Sequence, residues 1–181
     1  MFLLVNKEKG LIILYTGEGK GKTTAALGLV LRASGYNKKC LIVQFGKAWF
    51  TGELVGIKKL GPNVKIIQGG KGFLDILGSK VSKSEHQKAA SQAFEILYKE
   101  VMSENWDIVV ADEIVGAVSA KVLSLTKVLQ LINHKPVTMD LVLTGHYASK
   151  ELIDLADLVT EMTEIKHPFQ KGILAKKGVD F

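Results

Sequence analysis

Cysteine occurs once, arginine once and proline three times in this 181-residue chain. With Cys40 alone, no internal disulfide and no cysteine-based zinc site can form, and a reducing, cytoplasmic setting is the simple inference. Pro62, Pro136 and Pro168 all fall between periodic segments, and no repeat, low-complexity tract or proline-rich linker divides the sequence. No apolar run approaches the roughly 18–20 residues that span a bilayer, so no membrane-spanning helix is expected. Met1–Lys7 has no basic region ahead of its short apolar run and no small-residue cleavage site, so no secretory signal is expected either. The four histidines, His86, His134, His146 and His167, show no metal-ligand spacing.

What is present fits one soluble domain over residues 1–181: 47% of residues are apolar, enough for a full core. The net charge of +6 suits anionic partners, either nucleotides or nucleic acid. The lysines are spread along the chain and interleaved with acids rather than gathered in a stripe, which argues against nucleic acid. Arg32, the sole arginine, could bind phosphate or stack on a base with its planar fork, or could be an ordinary surface residue.

The most informative run is Thr16-Gly17-Glu18-Gly19-Lys20-Gly21-Lys22-Thr23-Thr24, between apolar Leu11–Tyr15 and helix-like Ala25–Leu31. Strand, glycine-rich turn, Lys-Thr and helix together describe a phosphate cradle. Glycines let successive N–H groups point inward, and the helix start adds unpaired N–H groups and a positive dipole end. Lys22 supplies a point charge for phosphate oxygens and Thr23 a hydroxyl suited to Mg²⁺. The general pattern places glycine where Thr16 stands.

Further apolar runs at Cys40–Phe45, Val64–Ile67, Asp107–Ala111, Leu141–Leu143 and Leu158–Met162 read as strands. Helices are expected from Ser84, whose Ser84–Gln87 spacing resembles a capping box, across 121–133, and across 149–156. Residues 46–63 read as a long loop, and Gly69–Phe73 as a second glycine-rich loop. Strands alternating with helices predict an α/β fold: a doubly wound, mostly parallel sheet with helices on both faces, of the P-loop NTPase, RecA-like type. Functional loops should then gather at the carboxyl ends of the strands. Asp112 and Glu113 follow an apolar strand and fall on that edge, where a carboxylate, Thr23 and phosphate oxygens make a sensible Mg²⁺ shell. Lys47, Lys71 and His146 could meet an anionic ligand there or be solvated loop residues. Trp49 and Phe50 could stack on a flat ligand or cover the core edge.

With these motifs in view, the chain resembles the P-loop ATP:corrinoid adenosyltransferases from about Gly10 to Phe181. The likeness rests on GEGKGKTT with its preceding Thr16, Arg32-Ala33-Ser34-Gly35-Tyr36, Gln44-Phe45, Trp49 with Gly52-Glu53, and Asp112-Glu113. Lys166-His167-Pro168-Phe169, Gly172-Ile173 and Gly178-Val179-Asp180-Phe181 extend it to the carboxyl terminus. The resemblance implies transfer of the 5′-deoxyadenosyl group of MgATP to a reduced Co(I) corrinoid, releasing triphosphate. It places Gly17, Glu18, Gly19, Lys20, Gly21, Lys22, Thr23 and Thr24 around the triphosphate, Arg32 on the nucleotide, and Phe73 in the loop facing the corrinoid. Thr23, Asp112 and Glu113 would hold Mg²⁺, and Lys22, Thr23 and Glu113 would carry the reaction. A homodimer and a reductase partner such as a flavoprotein follow from the same resemblance. Glu18 replaces the family's asparagine, Asp75 its tryptophan in the corrinoid loop, and His146 its arginine. The longer amino-terminal segment that covers the site in some relatives is expected to be absent or truncated. The alternatives are a generic P-loop NTPase or phosphotransferase, and a nucleotide-binding regulatory or carrier protein without turnover.

Overall fold

The computed structural model describes residues 8–70 and 82–181. Six strands form one sheet in the order β3-β2-β4-β5-β1-β6, and every neighbouring pair is parallel. They are β1 (Ile12–Thr16), β2 (Cys40–Phe45), β3 (Val64–Gly69), β4 (Ile108–Asp112), β5 (Asp140–Thr144) and β6 (Leu158–Glu161). The helices are α1 (Lys22–Ser34), α2 (Glu53–Gly56), α3 (Lys83–Met102), α4 (Ile114–Ser119), α5 (Leu125–His134) and α6 (Lys150–Leu155).

The sheet is parallel because each crossover carries enough chain to return over one of its faces. The central strands lack polar alternation because both faces are covered. In β2, Cys40 and Ile42 pack with Ala26, Val30 and Ala33 of α1. Leu41, Val43 and Phe45 point the other way, into a cluster with Phe94, Leu97 and Val101 of α3 and Val128 and Leu131 of α5. The α1 cluster encloses the one cysteine. Burial, with the charge of Asp107 adding, pushes the Cys40 thiol up from 9.0 to about 11. Thiolate is the reactive form, so the folded chain is expected to resist iodoacetamide at pH 8 and to be alkylated once unfolded in urea. Because the folded value lies above the unfolded one, the stability linked to this thiol is full below pH 9 and is lost towards pH 11. Alkylation at equal rates in both states would refute the placement.

Three details differ from the sequence expectation. The α3 cap is Ser82, not Ser84: its hydroxyl accepts from the Glu85 N–H, and Glu85 accepts from the Ser82 N–H. A charged glutamate is the stronger reciprocal acceptor and sits favourably at the positive helix end, so the helix starts earlier. The segment expected as a helix over 121–133 begins at Leu125, after a turn with Lys121 at φ 56°, while Ile114–Ser119 forms its own short helix. Within the expected loop 46–63, Glu53–Gly56 and Ile57–Leu60 form helical turns whose Ile57 is buried.

Candidate functional site

The phosphate loop joins the carboxyl end of β1 to α1. Gly17 (φ 94°) and Gly21 (φ 113°) adopt backbone that favours glycine. A Cβ at Gly17 would lie 2.4 Å from the Met162 carbonyl oxygen, so the back of the loop fits against the segment after β6 only without a side chain. Thr16, buried at the strand end, accepts a hydrogen bond from the Ala148 N–H at 3.2 Å. That contact ties the loop's base to the β5–α6 connection and accounts for threonine in a position where other loops carry glycine. Lys22 is buried, and its Nζ donates to the carbonyls of Gly17 and Gly19, both at 2.8 Å. Burial pulls its ammonium below the ordinary lysine value, with the Glu113 charge opposing.

Register builds the next layer. Gln44 lies opposite Gln68 on β3 and opposite Asp112 on β4, and Asp112 borders Thr144 at the end of β5. These residues have the strand parity of the α1 face, so four polar side chains form a row under the start of α1. Asp112 is fully buried and accepts at Oδ1 from the hydroxyls of Thr23 (2.7 Å) and Thr144 (2.8 Å). Its Oδ2 accepts from Gln44 Nε2 (3.0 Å) and pairs with Lys47 Nζ (3.2 Å). Gln68 donates to Gln44 at 3.1 Å, and Lys47 also pairs with Glu53 at 3.1 Å. Burial alone would raise the Glu53 carboxyl, but its backbone N–H, Gln44 and Lys47 together hold it below the ordinary value.

Glu113 follows at φ 63°, a costly backbone for glutamate, and its N–H donates to Thr144 Oγ1 at 2.8 Å. Its carboxylate folds back over Gly116, where a Cβ would meet Oε1 at 2.2 Å. Burial and then the Asp112 charge raise the Glu113 carboxyl, while Lys22 and Lys47 partly offset this. Burial and then the Lys22 charge lower the His146 imidazole, favouring its neutral form.

A cleft of about 480 Å³ brings together Lys20–Thr24, Lys47, Trp49, Glu53, Glu113 and His146. Thr51 lines it with a buried hydroxyl that has no hydrogen-bond partner among the described residues. Among the described residues no three His, Cys, Asp or Glu side chains converge to hold a metal. One or two carboxylates beside a threonine hydroxyl instead fit Mg²⁺, a hard ion that shares its shell with phosphate oxygens and water. The cationic Lys47 held by Asp112 shows that this carboxylate accommodates positive charge.

Not every expected residue comes to the cleft. Arg32 is exposed in the last turn of α1, about 15 Å along the helix from Lys22. Glu18 turns away to Tyr147, whose hydroxyl it raises through a hydrogen bond, and lines a separate depression with Met162. Phe50 is exposed, whereas Trp49 lines the cleft. Lys71, Phe73 and Asp75 lie outside the described residues. Gln44, Gln68 and Thr144 were missed as functional residues. Their signal is a polar residue ending an otherwise apolar strand, which becomes specific only when the strands are aligned.

A parallel α/β sheet with a phosphate loop after β1 and a buried aspartate at the end of β4 defines a P-loop nucleotide-binding protein. Residues 8–181 match the family model described as ATP:corrinoid adenosyltransferase BtuR/CobO/CobP. A corrinoid adenosyltransferase of Sinorhizobium sp is 38% identical over 96% of this chain and 81% of its own length. The Escherichia coli K12 enzyme of that name is 31% identical over 96% of this chain and 87% of its own. Corrinoid adenosyltransferase CobA of Salmonella typhimurium is 33% identical over 97% and 87%. The chain belongs to the ATP:corrinoid adenosyltransferase family.

Proposed function

We propose that this chain transfers the 5′-deoxyadenosyl group of ATP to a reduced Co(I) corrinoid, in the synthesis or salvage of adenosylcobalamin. The observation that carries the site assignment is the single cleft joining Lys20, Lys22 and Thr23 to Glu113, with Asp112 directly beneath. Cobalt(I) is itself the nucleophile: a cobalt–carbon bond forms at C5′, the C5′–O bond breaks, and its electron pair leaves with the triphosphate. No protein base is required. The protein's tasks are to hold the leaving group, neutralise its developing charge and keep water away. Gly17–Thr24 hold the triphosphate through the ammonium groups of Lys20 and Lys22 and through backbone N–H groups other than that of Gly19, which donates to the Met162 carbonyl at 2.7 Å. Mg²⁺, bound with the nucleotide, supplies further neutralisation of the triphosphate, and Thr23, Asp112 and Glu113 are the residues that would hold it.

We further propose that the chain works in the cytoplasm as a homodimer, with a reductase such as a flavoprotein supplying Co(I), and without nucleic-acid or membrane partners. No helix among the described residues is long and apolar enough to cross a membrane. The decisive assay is anaerobic incubation with MgATP and a chemically reduced corrinoid. Formation of a light-sensitive organocorrinoid together with inorganic triphosphate is the expected result. ADP and phosphate formed without corrinoid dependence overturn the proposal in favour of an NTPase.

A further inference from the structure

The carboxyl-terminal tetrapeptide Gly178–Phe181 lines the same cleft as the phosphate loop. It is held there by an ion pair between Asp180 Oδ1 and Lys20 Nζ, with the Asp180 side chain only 16% exposed. The second oxygen, Oδ2, accepts from the Lys176 N–H at 2.7 Å, and the Gly178 N–H donates to the Phe181 main-chain oxygen at 2.8 Å. Gly178 at φ 79° lets the chain reverse into this turn. Both lysines of the loop are thus engaged by protein oxygens: Lys22 by the Gly17 and Gly19 carbonyls, Lys20 by Asp180.

A carboxylate oxygen on Lys20 takes the place that a phosphate oxygen would take. The two anions cannot occupy that ammonium without repelling each other at close range. We infer that Asp180 competes internally with triphosphate for Lys20, and thereby sets how tightly the leaving group is held. Entry of the triphosphate displaces the carboxyl-terminal turn from Lys20. After transfer, return of Asp180 to Lys20 favours release of the inorganic product. The inference rests on the assignment of Gly17–Thr24 as the triphosphate site.

Titration calorimetry of inorganic tripolyphosphate with Mg²⁺ into the full chain tests it, at low ionic strength where the pair is least screened. Asp180→Asn keeps an acceptor for the Lys176 N–H and removes the charge. Because Lys20 is half exposed, the expected gain is modest, about two- to fivefold tighter binding. A chain ending at Lys177 should shift the same way, which covers a local defect of the substituted turn. In a Lys20→Met background the gain from Asp180→Asn should disappear. A gain that persists there is general charge repulsion and overturns competition at Lys20. Unchanged or weaker binding by both Asp180→Asn and the shortened chain also overturns it, making the turn neutral or a support of the bound state. Failure of the native chain to bind tripolyphosphate would instead sink the triphosphate assignment itself, and this inference with it.

Discussion

Lys22→Ala is expected to abolish adenosyl transfer, lowering kcat/KM by about a thousandfold or more. The ammonium is buried and already positioned over the loop by two carbonyls, so its charge reaches the triphosphate with little reorganisation. Burial makes that charge worth more than it would be in water. Charge on the leaving oxygen grows as the C5′–O bond breaks, so the loss should fall on kcat as well as on KM. Alanine also leaves the Gly17 and Gly19 carbonyls without this donor, a stability cost of about 1–3 kcal/mol. Thermal unfolding of the variant separates that cost from the catalytic loss. Near-normal turnover in a folded Lys22→Ala chain would refute the role given to this residue.

Asp112→Ala has the second large effect, and it combines stability with activity. Four groups converge on this carboxylate: the hydroxyls of Thr23 and Thr144, the Gln44 amide and the Lys47 ammonium. Removing it strands the Thr23 and Thr144 hydroxyls and leaves the Gln44 amide and Lys47 with Glu53 alone, at a cost of about 3 kcal/mol. Asp112→Asn keeps the volume but turns an NH₂ towards two of the four donors, whichever way the amide is set. This variant should fold with a smaller loss of stability and lose Mg²⁺-dependent turnover by about a hundredfold or more. Urea unfolding and a Mg²⁺ titration of activity check the two parts. Native-like Mg²⁺ dependence in Asp112→Asn would remove Asp112 from the metal site.

Much of the fold was legible because its signals are local. An apolar run followed by glycines, Lys22 and Thr23 marks β1, the loop and α1 without reference to the rest of the chain. The continuous apolar character of β2 and β4 implied a sheet covered on both faces. Errors arose where two local signals competed, as at Ser82 and Ser84, or where a short element lacked a periodic stretch long enough to register, as at Ile114–Ser119. Arg32 illustrates a different limit. Its rarity is a compositional fact, but helix geometry sets its distance from the loop, and α1 carries it away from the cleft.

The sequence by itself determined that a polyphosphate cradle and a carboxylate pair lie on one sheet edge, because strand direction and the parallel fold leave no other edge for them. Only the tertiary structure decided how that edge is wired. The row Gln68-Gln44-Asp112-Thr144 exists because parallel register brings four strand ends level on the face covered by α1. The pairing of Lys20 with Asp180 exists because the chain after β6 returns across the loop. Both depend on contacts between residues far apart in the chain, and such contacts leave no trace in a local pattern.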